Sequence, residues 1–190
     1  MKNYLFSIAI IICSLTFAQA QSTQGVFVSP ILEISEMNAS VTVGTGVAVG
    51  TNLDQWHVAA YGIRTTNSGQ VNEIGEQYNL NLTTGGLWIT YQHPVSEYFT
   101  INAGARMGIG QVEREWNFMN ELGGLNKADV QMLTPQVGVE LMLSDRLSLG
   151  YTSSFRWALS MDAMPDVSTR DLSAMTNAIT LKFALFGKLR

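Results

Sequence analysis

Val41, Val43, Thr45, Val47 and Val49 alternate with Thr42, Gly44, Gly46, Ala48 and Gly50. One face of this stretch is β-branched and the other is nearly bare. A repeat of two is the strand repeat, because successive side chains point to opposite faces. In a soluble sandwich the face away from the core would carry charges and long polar chains. Glycine and alanine there suit the crowded interior of a small closed barrel instead, with the apolar stripe turned outward.

The rhythm recurs along the chain. Phe99, Ile101, Ala103, Ala105, Met107 and Ile109 form an outer stripe opposite Thr100, Asn102, Gly104, Arg106, Gly108 and Gly110. Further stripes run Leu133, Pro135, Val137, Val139, Leu141, Leu143, and Leu147, Leu149, Tyr151, Ser153, Phe155, Trp157, Leu159. The last strand places Ile179, Leu181, Phe183 and Leu185 outward against Thr180, Lys182, Ala184 and Phe186. Weaker strands near 25–35, 56–65 and 78–92 bring the count to eight. Leu80 and Leu82 are out of phase with Leu87, Ile89 and Tyr91, for which a bulge at Gly85-Gly86 is the expectation.

Connections around 36–39, 51–55, 93–97 and 144–146 are short, and those around 66–77, 112–130 and 161–172 are long. A spanning barrel strand needs about nine to eleven residues. Transmembrane barrels of even strand number place short turns on one side and longer loops on the other. Trp56, Tyr91, Tyr98 and Phe99 gather by the short turns and Tyr61, Tyr78, Phe155 and Trp157 toward the long loops, the distribution of two interfacial girdles.

Lys2, the apolar run Tyr4 to Phe17 and Ala18-Gln19-Ala20 read as a cleavable signal peptide over residues 1–20, leaving one barrel domain over 21–190. The single cysteine, Cys13, lies in that leader, so the mature chain has no disulfide and no thiolate chemistry. Removing Lys2 shifts the formal charge from −4 to −5, an acidic balance that gives no reason to expect nucleic acid as a partner.

With this leader, eight strands, Gly-Gly-Leu-Trp-Ile-Thr-Tyr at 85–91 and Ile-Thr-Leu-Lys-Phe-Ala-Leu-Phe at 179–186, the chain resembles the small outer-membrane β-barrel-domain proteins of Gram-negative bacteria, the OmpA/OmpX-like group. The resemblance covers nearly all of the mature chain. It implies an all-β, eight-stranded, antiparallel up-and-down transmembrane barrel in the cell outer membrane, surrounded by outer-membrane lipid. It also implies that the barrel-assembly machinery reads the terminal aromatic strand, here Phe183 and Phe186, although this chain continues through Gly187-Lys188-Leu189-Arg190.

Six charges are expected to face the lumen: Glu33, Arg64, Arg106, Glu140, Arg156 and Lys182. Glu140 and Lys182 sit near the short-turn end and the other four higher, so two ionic layers are predicted. A charge on the lipid side is costly, and an unpaired charge inside is costly too. An eight-stranded lumen is filled by its own side chains, which favours a structural ion-pair network over a pore. The two histidines, His57 and His93, fall at the short-turn end, read as interfacial, and neither forms a metal-ligand spacing. No metal and no cofactor is expected.

The connection 112–130 carries Trp116, Phe118, Met119, Leu122 and Leu125, either a contact surface for an extracellular partner or residues buried by strand extension or a capping helix. The reading is therefore a non-enzymatic outer-membrane barrel with a structural or adhesive role through its long loops. A narrow channel, an outer-membrane lipid-modifying enzyme and a soluble periplasmic ligand-binding barrel are the alternatives.

Overall fold

The computed structural model describes residues 25–37, 40–71, 77–116, 125–164 and 167–189. Eight strands follow one another: β1 (Val26–Met37), β2 (Ser40–Leu53), β3 (Trp56–Val71), β4 (Gln77–Pro94), β5 (Phe99–Trp116), β6 (Leu125–Ser144), β7 (Leu147–Met161) and β8 (Ala174–Phe186), with one helical turn, α1 (Thr169–Leu172), before the last. Each strand pairs antiparallel with the next, and β8 returns to β1, so the sheet is a closed barrel in sequence order. The alternation expected from the sequence is the alternation that forms. Val41, Val43, Val47 and Val49 are exposed on the outer wall, whereas Thr42, Gly44 and Ala48 are buried inside.

Two hairpins are as tight as their sequences suggest. Asp54 and Gln55 join β2 to β3, with Asp54 at φ 53°, a left-handed conformation that aspartate tolerates better than most residues. Asp145 and Arg146 join β6 to β7. Beside these turns, Trp56 packs edge-on against Tyr91 at 5.2 Å; at the other end, Phe155 packs edge-on against Trp157 at 5.3 Å. Tyr61 departs from the expected girdle. Its ring points into the lumen, buried, because the inward phase of β3 falls on its odd-numbered residues.

Three further expectations are corrected. Gly85-Gly86 is no bulge: the β3–β4 ladder runs unbroken from Trp56↔Tyr91 to Asn67↔Leu80. Leu80 and Leu82 simply face inward, while Leu87 faces out. The apolar phase flips because the interior itself becomes apolar toward the long-connection end. Connections 66–77 and 112–130 are mostly strand, since β3 continues to Val71, β4 begins at Gln77, β5 continues to Trp116 and β6 begins at Leu125. Ladder hydrogen bonds do not require an apolar outer face, and Gln111, Glu113, Lys127 and Asp129 cover these extensions. Finally, Phe186 is exposed rather than inward, at a register shift where β1 and β8 begin to part.

Glycine size matters where backbones crowd. A Cβ on Gly86, which faces inward, would lie 2.0 Å from the Met107 carbonyl oxygen, whereas one on Gly62, outside, would meet nothing within 4 Å. Gly86→Ala is therefore expected to cost about 1–3 kcal/mol of folding stability through overpacking, and Gly62→Ala less than about 0.5 kcal/mol. Urea unfolding midpoints of both variants refolded into lipid vesicles test the contrast.

Candidate functional site

The interior is the part of the molecule where chemistry is concentrated. Near the short turns, β6 supplies Glu140, β7 Ser148, β8 Lys182, β3 His57 and β4 Gln92, all from inward positions of their strands. Lys182 Nζ donates to Glu140 Oε2 at 2.5 Å, Gln92 Nε2 to the same oxygen at 3.0 Å and Ser148 Oγ to Glu140 Oε1 at 2.5 Å. His57 Nδ1 lies 2.9 Å from Lys182 Nζ and 2.7 Å from Gln92 Nε2, so it is the accepting nitrogen of a neutral ring. Glu140 is 2% exposed and His57 4%. Below them Phe27, fully buried, receives the Lys182 ammonium at 5.5 Å from its ring centre.

The chain beyond β8 folds back under this layer. Gly187 turns at φ 69°, Leu189 N donates to the Asp145 carbonyl at 3.0 Å, and the Leu189 side chain is buried in the same apolar cluster as Phe27 and Ala59.

A second ionic layer lies higher. Arg106 Nη2 donates to Glu33 Oε2 at 2.6 Å, and Arg156 Nη1 stands 3.5 Å from Glu33 Oε1. Arg106 also sits over the Tyr61 ring at 5.7 Å. Arg156 does more than pair: its Nε donates to the Leu172 carbonyl at 2.9 Å and its Nη2 to the Glu36 carbonyl at 3.3 Å. One guanidinium thus ties the carboxylate layer to α1 and to the end of β1. α1 itself is fixed by Asp171, whose Oδ2 accepts from Ser168 N at 2.8 Å and Ser168 Oγ at 2.6 Å. Leu172, fully buried, points down onto Met37, Leu80, Leu82, Val112 and Val130, an apolar lid across the long-connection end.

Beside the Glu140–Lys182 pair is a void of about 10 Å³, the room of a single water, lined by Trp88, Thr90, Asn102, Glu140 and Lys182 among others. Trp88 Nε1, Thr90 Oγ1 and Asn102 Oδ1 have no partner among the described protein atoms.

Five of the six expected lumenal charges meet in these two layers: Glu33, Arg106 and Arg156 in one, Glu140 and Lys182 in the other. Arg64 does not join them. It is exposed on the outer wall opposite Thr45 and Thr83, because β3 turns its even-numbered residues outward and its inward row reads His57, Ala59, Tyr61, Ile63, Thr65, Asn67. His57 is likewise not interfacial but lumenal and buried, whereas His93 is exposed. Its place in the inward row of β3 was the available signal. Arg114, buried inside, is a further lumenal cation, signalled by its place in the same inward row of β5 as Arg106. Phe118, Met119 and Leu122 lie outside the described residues; Trp116 and Leu125 are the end residues of β5 and β6. Phe183 and Phe186 are both exposed on the outside.

The fold is found in solved structures. Neisserial surface protein A is similar with a TM-score of 0.63 and 10% identity, over 86% of this chain and 98% of that one. Ail, the attachment invasion locus protein of Yersinia pestis, is similar with a TM-score of 0.50 and 7% identity, over 84% and 96%. The N-terminal β-barrel domain of Pseudomonas aeruginosa OprF gives 0.49 and 12% identity, over 83% and 96%. No protein-family model matches the sequence, and no curated protein matches it either. The chain thus has the fold of the small eight-stranded outer-membrane barrels.

Removing one partner of a buried pair leaves an uncompensated charge, worth about 3–5 kcal/mol. Glu140→Leu is expected to destabilise by about that amount, and Glu140→Leu combined with Lys182→Met by clearly less. A double-mutant cycle on urea unfolding in vesicles measures the difference; equal losses would remove the pair from any structural role.

Proposed function

We propose that this protein is an integral outer-membrane barrel, exported by a leader over residues 1–20, that serves as a structural and contact element rather than as a pore or an enzyme. The observation that carries this reading is an inversion of polarity across the wall. Leu32, Val47, Met107, Val137 and Ile179 are exposed outside, while Glu33, Arg106, Glu140, Arg156 and Lys182 are buried inside. Water penalises that arrangement, whereas lipid rewards the outer face and leaves the charges to pair within.

Several features support a closed lumen. The two ionic layers, the lid over them and Leu189 beneath occupy successive levels of the interior, and the void beside the lower layer has room for about one water. An enzymatic reading is poorly supported by the same residues. A hydroxyl nucleophile needs a free general base and access to substrate, yet buried Ser148 donates to a Glu140 already paired with Lys182, and His57 is buried against Lys182 and Gln92.

The contact role belongs to the long-connection end, with residues 112–130 and Trp116, Phe118, Met119, Leu122 and Leu125 as its apolar element. A surface protein is the partner that such residues fit. One structural neighbour is by name an attachment protein, which accords with this. During biogenesis the outward aromatics Phe183 and Phe186 of β8 would be read by the barrel-assembly machinery.

Planar-bilayer recordings on the purified protein test the proposal. Wild type and Arg106→Ala are both expected to give no discrete conductance steps; steps in wild type that Arg106→Ala alters would establish a channel instead. For the contact role, Trp116→Ser with Phe118→Ser is expected to reduce surface attachment of cells displaying the barrel at unchanged abundance.

A further inference from the structure

Arg64 is a charge on the face that lipid covers. Eight residues separate it from Trp56 along β3, which at about 3.4 Å per residue and a tilt of about 40° raises it roughly 20 Å above the aromatic residues of the short-turn side. The apolar band of such barrels is about 25 Å tall. Arg64 therefore stands just inside the edge on the long-connection side, where its side chain can extend to the interface.

Its surroundings are polar above and bare below. Across the sheet Arg64 is flanked by exposed Thr45 and Thr83. One outward row nearer the membrane centre, Gly62 pairs with Gly85, and this row continues to Val47 on one side and Ile109 on the other. With no side chain on either glycine, the outer wall there is a furrow of backbone between Val47 and Ile109, opening directly beneath the guanidinium.

The other outward cation nearby behaves differently. Lys127 is held within the protein by Glu113 and Gln111. Among the described residues no carboxylate pairs with Arg64. A planar guanidinium offers paired donors matched to two oxygens of one phosphate, and adjacent hydroxyls add further donors.

We propose that Arg64, Thr45 and Thr83 bind the phosphate of a membrane lipid in the leaflet on the long-connection side, with one of its acyl chains lying in the Gly62–Gly85 furrow. The proposal rests on the membrane reading above. It makes the barrel wall selective for a lipid rather than passively wetted by one.

Native mass spectrometry of protein released from nanodiscs of a phosphate-free galactolipid tests this, with the discs doped either with diphosphoryl lipid A or with the same lipid after phosphatase treatment. Wild type is expected to retain the phosphorylated form about tenfold better than the dephosphorylated one, the scale of one charge-assisted contact. Arg64→Gln should lose that preference, Arg64→Lys should keep part of it, and Gly62→Leu should weaken retention of both lipids by filling the furrow. Equal retention of the two lipids by wild type overturns the site, with no variant needed. Heat-modifiable gel mobility reports insertion separately: a wild type that never forms an inserted barrel would overturn the membrane reading, whereas an inserted barrel without lipid preference would overturn only the lipid site.

Discussion

A strand crossing hydrocarbon has no water to satisfy its backbone, so every N–H and C=O must find a partner within the protein. The return of β8 to β1, from Ser35↔Thr176 to Val26↔Phe186, is what meets that demand here. An open sheet with the same strands would present two unpaired edges to lipid. Closure in turn fixes much else. An even number of strands brings both chain ends to one side, and side chains sort strictly into an outer and an inner set. Eight strands also leave an interior only about as wide as the side chains that fill it. That width explains the inward glycines: a Cβ on Gly108 would lie 2.6 Å from the Tyr61 hydroxyl, so the bare position on β5 makes room for the large one on β3.

Within so narrow a space, charge must be neutralised by side chains from across the barrel rather than by neighbours in sequence. Glu33 and Arg106 come from β1 and β5, and Glu140 and Lys182 from β6 and β8. These pairs span strands that are not adjacent, so they brace the cross-section in addition to the ladder around its circumference. Arg156 extends the brace along the axis by holding the Leu172 and Glu36 carbonyls while it approaches Glu33. The position of α1 and its lid residues is thereby coupled to the ionic layer through one side chain. Buried pairs of this kind contribute less to net stability than to defining one arrangement, because desolvation offsets much of their attraction.

The sequence was most legible where the interior is small or polar and the exterior aliphatic, as in β2, β5, β7 and β8. There alternation alone gives the inward direction of Arg106, Arg156 and Lys182. It was least legible in β3 and β4. Arg64 reads as inward only if every charge must leave the lipid face, but near the interface a long side chain can reach headgroups, and the premise weakens. Leu80 and Leu82 read as an outer stripe slipped by a bulge if every apolar residue faces outward. That rule fails where strands rise toward the mouth and the interior is lined by the apolar cluster around Leu172. His57 reads as interfacial for a related reason: neutral imidazole is apolar enough to pack against Phe27, at 5.4 Å between ring centres, yet still accepts a hydrogen bond from Lys182. Which distant strands supply a charge's partner could not be read at all, because barrel stagger, not sequence spacing, sets the levels at which strands meet.

The ordering of environments along the axis bears on passage through the barrel. From the short-turn end inward the lumen runs from Leu189 and Phe27, through the Glu140–Lys182 layer and the Glu33–Arg106–Arg156 layer, to the lid of Leu172, Leu80 and Leu82. On the closed-lumen reading proposed above, an ion between the layers would meet charges already paired with one another. To move further it would have to separate buried pairs that gain most from staying together once water is excluded. On that reading, displacing the lid would also disturb the carboxylate layer, since Arg156 holds α1 and that layer with the same guanidinium. Conduction would then require the lid, both ionic layers and the tail beneath them to rearrange together, a cooperative change rather than the swing of a single gate.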